Sequence, residues 1–203
     1  MSTAQPSLAS QPVQTGFQIP DVMDWTILPA SITAQAWTDP EFRGELLADP
    51  TATLRQRIKR WPRDKTFSLD ADSELKRFFV LPVRKRAFEG LSRAGLYALL
   101  RHELGDDDSF EFHLPPAVIA AALADDALKN DLLRDGAATL QSLGYEPRAP
   151  LIVVLENSPS HYHLVLPCNP SRVEDLDFDA LHASLRERFG ANTTRCCASG
   201  TCT

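Results

Sequence analysis

The sequence predicts an α+β fold made of two homologous halves. It reads as an internal duplication in which each half runs helix, helix, strand, strand, helix. Three observations predict this. The segment WTDPEFRGELLADPTATL, residues 37–54, aligns without gaps on LADDALKNDLLRDGAATL, residues 123–140, at an offset of 86 residues. Further on, FVLP at 79–82 matches LVLP at 164–167 at an offset of 85. Between these landmarks both stretches change from helical apolar spacing to short β-rich runs. A period of this size is too long for a solenoid repeat and suits two copies of a small unit.

Residues 1–20 are rich in Ser, Gln and Pro and offer little apolar surface, so they are expected to form a disordered N-terminal tail. The first half is expected over 21–104. Its apolar residues at 42, 46, 47 and 54 keep helical spacing. Thr38 with Glu41 reads as a capping box. Asp49-Pro50 reads as an N-cap followed by proline at the first helical position. KTFSLD (65–70) and KRFFVLPV (76–83) read as strands, and RAFEGLSRAGLYALLRHEL (86–104) as the closing helix. The acidic run GDDDS (105–109), inside an expected linker at 105–115, marks the seam.

The second half, expected over 116–190, repeats the order. Apolar residues at 128, 132, 133, 140 and 143 carry the helical pattern, and Asp135-Gly136 stands where Asp49-Pro50 stands in the first half. PLIVVLEN and HYHLVLP are its strands, joined through the turn signal NSPS at 157–160. The continuous β-branched run LIVV predicts a strand buried on both faces. DFDALHASLRERF (177–189) closes the half. After Phe189 the periodicity stops, and 191–203 is expected to be exposed and mobile.

Composition narrows the function classes. Of 203 residues, 43% are hydrophobic, enough for one real core or two small ones. A net charge of −6 argues against a nucleic-acid partner. The start MSTAQPSLASQPVQTGFQIP has no basic region and no apolar run, unlike a secretory signal. No stretch reaches the roughly 18 apolar residues of a membrane span, so a bacterial cytoplasmic location is expected. Cys168 stands apart, while Cys196, Cys197 and Cys202 crowd together, which is not the spacing of a disulfide scaffold.

The stretches AWTDPEFRGELLADPTATL and DLLRDGAATLQSLGYEPRAPLIVVLENSPSHYHLVLPCNP resemble the nitrile-hydratase-alpha-like leader peptide family. The second copy, about 118–170, carries the fuller match, through the break at Asp135, Gly144, the Val-rich run with Glu156 and the closing LVLP before Pro170. The resemblance implies a nitrile-hydratase-alpha-like leader fold. It implies a precursor of a ribosomally made natural product, in which the folded part recruits maturation enzymes to a Cys/Ser/Thr-rich core. Its partners would be a cyclodehydratase or a lanthipeptide synthetase, and a leader peptidase with an exporter for the mature core. In the second copy, Leu128, Leu132, Leu133 and Leu140 are the leader-recognition candidates. Gly190-Ala191 resembles the cleavage site of a peptidase-containing exporter. The chain departs from the family in its length and in the helix between LVLP and the cysteines.

The segment TTRCCASGTCT, residues 193–203, fits two maturation chemistries. Azoline formation would close the side chains of Cys196, Cys197, Ser199, Thr201, Cys202 or Thr203 onto the preceding carbonyl. Lanthionine formation would dehydrate Thr193, Thr194, Ser199 or Thr201 and add the cysteine thiolates. Both need accessible small residues, and the leader resemblance favours azolines. The rival is a metal-binding or redox-active protein using these cysteines directly. Nitrile hydratase alpha subunits hold iron or cobalt through Cys-x-x-Cys-Ser-Cys, whereas this segment reads Cys-Cys-x-x-x-x-Cys, also a poor zinc template. His161 and His163, two apart, share a strand face with Cys168 nearby. That spacing suits ligands, but a half-exposed strand face is the expectation. No glycine-rich phosphate loop, Gly-x-Ser-x-Gly or His-Glu-x-x-His is present. The expectation is therefore a non-enzyme with no cofactor.

Overall fold

The computed structural model describes residues 28, 30–57, 64–84, 88–104, 113–147, 149–169 and 178–189. The expected tail 1–20, the seam GDDDS and the segment 191–203 lie outside these residues. The fold mixes helix and sheet. Three helices come first, α1 (Ala30–Thr38), α2 (Pro40–Ala48) and α3 (Pro50–Arg57), followed by β1 (Thr66–Ala71), β2 (Lys76–Leu81) and α4 (Arg93–Leu104). The second series is α5 (Pro116–Ala124), α6 (Asp126–Arg134), α7 (Gly136–Ser142), β3 (Leu151–Glu156), β4 (His161–Leu166) and α8 (Phe178–Phe189). The element kinds recur in the same order, and α1 and α5 add a leading helix that the helix-helix-strand-strand-helix expectation leaves out.

Aspartates set the helix starts. Asp39 Oδ1 accepts from the N–H groups of Glu41 and Phe42, each at 3.0 Å. Asp125 Oδ1 does the same for Ala127 and Leu128. Asp49 and Asp135 cap the next helices through Ala52 and Ala138. Each carboxylate satisfies N–H groups that have no partner inside the helix. The expected Thr38–Glu41 box is not formed. Thr38 ends α1, its hydroxyl donates back to the Ala34 carbonyl, and Asp39 takes the cap. The closing helix of the first series also begins later than expected, at Arg93, because Gly90 takes a φ of 78° and Ser92 Oγ accepts from the Gly95 N–H.

The strands pair across the two series. β1 runs parallel to β4, with Thr66 opposite His161 and Ala71 opposite Leu166. β2 runs parallel to β3, with Lys76 opposite Leu151 and Leu81 opposite Glu156. Shifting both members of the first pair by 85 positions converts its register into that of the second. The turns that feed β2 and β4 obey the same shift. Asp72 Oδ1 accepts from the Phe78 N–H at 2.8 Å, and Asn157 Oδ1 from the His163 N–H at 2.6 Å. The Asp72 N–H donates to the Leu166 carbonyl, and the Asn157 N–H to that of Leu81. Ser73 Oγ accepts from the Lys76 N–H, and Ser158 Oγ from that of His161. These short polar side chains replace ladder bonds that the turn removes.

The packing follows the pairing. Over β1 and β4 lie Leu28, Ile32, Ala36, Phe42, Leu46 and Leu54, joined by Phe67, Leu164 and Leu166. Leu181 and Leu185 of α8 close this unit against Ala30 and Ala34. Over β2 and β3 lie Leu114, Val118, Ala122, Leu132 and Leu140, with Ile152, Phe79, Leu81 and the α4 residues Leu96 and Leu100. Each packed unit thus takes one strand and its closing helix from the opposite series. LIVV is packed on both faces from Ile152 onward. Ile152 and Val154 point into the core, Leu151 is half-exposed, and Val153 and Leu155 meet Phe78, Val80 and Val165 between the two strand pairs.

Candidate functional site

The sequence-predicted residues fall into two groups. Thr193, Thr194, Cys196, Cys197, Ser199, Thr201, Cys202 and Thr203, with the cleavage pair Gly190-Ala191, lie outside the described residues. The leader-recognition leucines lie on α6 and α7. Leu132 and Leu140 are fully buried, while Leu128 and Leu133 are partly buried against the same core. A partner cannot touch Leu132 or Leu140 without opening the core, so their place in the fold is structural. Leu128 and Leu133 keep part of their surface.

A polar cluster occupies the ladder between β1 and β4. Thr66 faces His161 and Ser68 faces His163 as register partners. The Thr66 hydroxyl lies 2.8 Å from His161 Nδ1 and 3.2 Å from the Ser160 carbonyl oxygen. The Ser68 hydroxyl lies 2.8 Å from His163 Nδ1 and 3.2 Å from His161 Nε2. The two imidazoles meet edge to face, their centroids 4.8 Å apart. Burial, and then the neighbouring His161, push the His163 imidazole below its usual range, so it is held neutral; Asp70 pulls weakly the other way. The histidines are half-exposed, as expected from their spacing. Sequence reasoning found the His-x-His spacing but not its partners. The alternating Thr-x-Ser of β1 was the available signal, and only the register joins the two.

Around the cluster, the Trp37 indole N–H donates to the Pro167 carbonyl at 3.0 Å, pinning the end of α1 to the exit of β4. Cys168 follows as a half-exposed free thiol. Asp72 is a buried carboxylate, paired with Arg77 at 2.9 Å. Desolvation drives its affinity for a proton up, against the pull of the Phe78 N–H and the Arg77 guanidinium. Among the described residues, no three His, Cys, Asp or Glu side chains converge on one metal position. No helix among them is long and apolar enough to cross a membrane.

No family model matches the chain, and no curated protein matches it. Among solved structures it is similar to a double histidine-to-alanine mutant of Fe-type nitrile hydratase from Comamonas testosteroni Ni1, at 18% identity over 76% of this chain, with a TM-score of 0.47. The corresponding double histidine-to-tryptophan mutant matches at 19% identity over 80% of this chain, with a TM-score of 0.48. An arginine-to-tryptophan mutant of thiocyanate hydrolase matches at 17% identity over 80%, with a TM-score of 0.45. The matches span 65%, 69% and 70% of those chains, under two thirds for the first. At such identities they speak to neither activity nor metal. The donor set here does not fit a nitrile-hydratase metal centre either: Cys168 is the only cysteine among the described residues, and the remaining three lack the Cys-x-x-Cys-Ser-Cys order.

Proposed function

We propose that the chain is a precursor in which a folded leader recruits maturation enzymes to the segment 193–203. The observation that carries this is a juxtaposition: the helical body closes with α8 at Phe189, and a segment of small, Cys/Ser/Thr-rich residues follows directly. The leader-family resemblance of 36–54 and 131–170 supports it, and so does the recurrence of element order, cap position and strand register, which we read as two copies of one leader unit. The body holds the segment near a bound enzyme at high effective concentration. Azoline closure at Cys196, Cys197, Ser199, Thr201, Cys202 or Thr203 is the favoured chemistry, with thioether rings from Thr193 and Thr194 as the second. The chain itself is then a substrate in the bacterial cytoplasm and not a catalyst.

The test is co-expression with the enzymes encoded beside the gene, followed by intact-mass and fragment analysis of residues 190–203. Each azoline or dehydrated residue removes one water. Mild acid restores that water to an azoline and leaves a thioether intact. The expected result is water loss confined to 193–203, and weaker processing in Leu133→Ser, whose side chain is partly exposed on α6. An unmodified segment in the presence of every neighbouring enzyme, with tight stoichiometric metal on its thiols, would replace this reading with the metal-binding one.

A further inference from the structure

One direction of the hydrogen-bond chain around His161 satisfies all four of its contacts at once. In it the Thr66 hydroxyl gives its proton to the Ser160 carbonyl, which can only accept, and offers its lone pair to His161 Nδ1. His161 is therefore protonated at Nδ1 and carries a lone pair on Nε2. That lone pair takes the Ser68 proton at 3.2 Å, which leaves the Ser68 oxygen to accept from His163 Nδ1 at 2.8 Å. His163 is then also protonated at Nδ1. Its Nε2 lone pair has no hydrogen-bond partner among the described residues. One backbone carbonyl thus sets both imidazoles in the same tautomer, each held at Nδ1 by the hydroxyl opposite it in the ladder. This is the outer-shell arrangement that orients a histidine for ligation through Nε2.

We propose that His161 and His163 form a two-imidazole site for a divalent transition ion of the imidazole-preferring class, Zn2+, Cu2+ or Ni2+, bound through both Nε2 atoms. The spacing i, i+2 places both rings on one face of β4. Rings with centroids 4.8 Å apart are close enough for two nitrogens to share one ion at about 2.0–2.1 Å from each. The ion takes the place of the Ser68 proton at His161 Nε2, and water fills its remaining positions. Asp70, on the same face of β1, adds a favourable negative charge. The second strand pair is an internal control. There the equivalent positions hold Lys76 and Phe78, which offer no imidazole. The site is independent of the leader reading, because it uses no residue of 193–203.

The test uses the full chain with its thiols alkylated and its histidine rings labelled with nitrogen-15. The chain has five histidines, so the ring spectrum is simple. Zn2+ alone is titrated. The expected result is that the Nε2 signals of His161 and His163 shift together and saturate at one equivalent, while His102, His113 and His182 stay still. In His161→Gln and in His163→Gln the remaining partner should lose this saturable shift. Ser68→Ala should weaken binding about 10- to 100-fold, the usual cost of an outer-shell partner. Shifts spread evenly over all five rings, no shift at all, or saturation that persists in either glutamine variant would overturn the proposal. Circular dichroism checks the variants for folding, and if both unfold, the pattern of the unaltered protein decides alone.

Discussion

The β1·β4 and β2·β3 pairs have the same backbone frame and opposite side-chain characters. Register, turn hydrogen bonds and the cross-links between series all correspond. Yet the face that carries Thr66, Ser68, Asp70, His161 and His163 in one pair carries Leu151, Val153, Leu155, Lys76 and Phe78 in the other. The outer edges differ as well. Thr51 both donates to and accepts from the backbone of Phe67, whereas the start of α7 presses Gly136 onto β3, so close that a Cβ there would sit 2.8 Å from Val154 Cγ2. Short polar side chains at turns and caps are thus enough to define the frame. On that face the side chains diverge: Phe78, Val153 and Leu155 pack between the strand pairs, while the polar set of β1 and β4 stays partly exposed and open to a binding function.

The largest effect should come from the two cores. Leu54→Ala and Leu140→Ala remove equivalent, fully buried side chains, and each should cost about 2–5 kcal/mol in denaturant unfolding. Because each unit borrows a strand and a helix from the other series, both changes should lower one common transition. Two separable transitions would break the comparison. Next come the glycines. Gly136→Ala should cost about 1–3 kcal/mol through overpacking against Val154 and Ile152. Gly44→Ala has open space within helix α2 and should stabilise by about 0.5–1 kcal/mol. Equal signs for the two would mean that α7 does not lie where the structure puts it. The caps follow: Asp39→Ala and Asp125→Ala should each cost about 1 kcal/mol, and a marked inequality would show that the two series bear load differently.

The smallest effect is a pH dependence. His163 titrates below its ordinary value, so its neutral form is the one the fold favours. Its contribution is complete above the unfolded value near 6.5 and is lost as the pH falls through the lower folded value. His163→Phe copies Phe78 of the other pair and should flatten that part of the stability profile, measured by melting at pH 5 and pH 7.5. Asp72 has the opposite sign: burial raises its folded value, so acidification through that range favours the fold. Asp72→Asn, which copies Asn157, should remove that gain.

Much of the frame was legible in the sequence because its signals are local. Asp49-Pro50 and Asp135-Gly136 mark helix starts by side-chain chemistry alone, and the β-branched and aromatic runs mark the strands. The leading helices were missed because PAVIAAALA is apolar on all sides and ASITAQAWT has only weak periodicity. Strand partnership was not legible, since alternation within KTFSLD or HYHLVL does not name the strand opposite. For the same reason the Thr66–His161 and Ser68–His163 pairs stayed hidden, their members lying 95 residues apart. Burial of Leu132 and Leu140 follows from the helical pattern itself, which points core residues inward and cannot separate them from a docking stripe.

The cross-paired ladders also set a timetable for synthesis. When β1 leaves the ribosome its partner has not been made, and at about 5–20 residues per second the wait for β4 lasts on the order of 5–20 seconds. Neither ladder is complete before β3 and β4 have emerged, so the early helices must sit without their sheet, exposed to chaperones and held back from any premature pairing. The finished shape becomes available only once β4 and α8 have joined the first three helices. Any partner that recognises the finished shape has to wait until both ladders have closed, so the order of events is written into the topology.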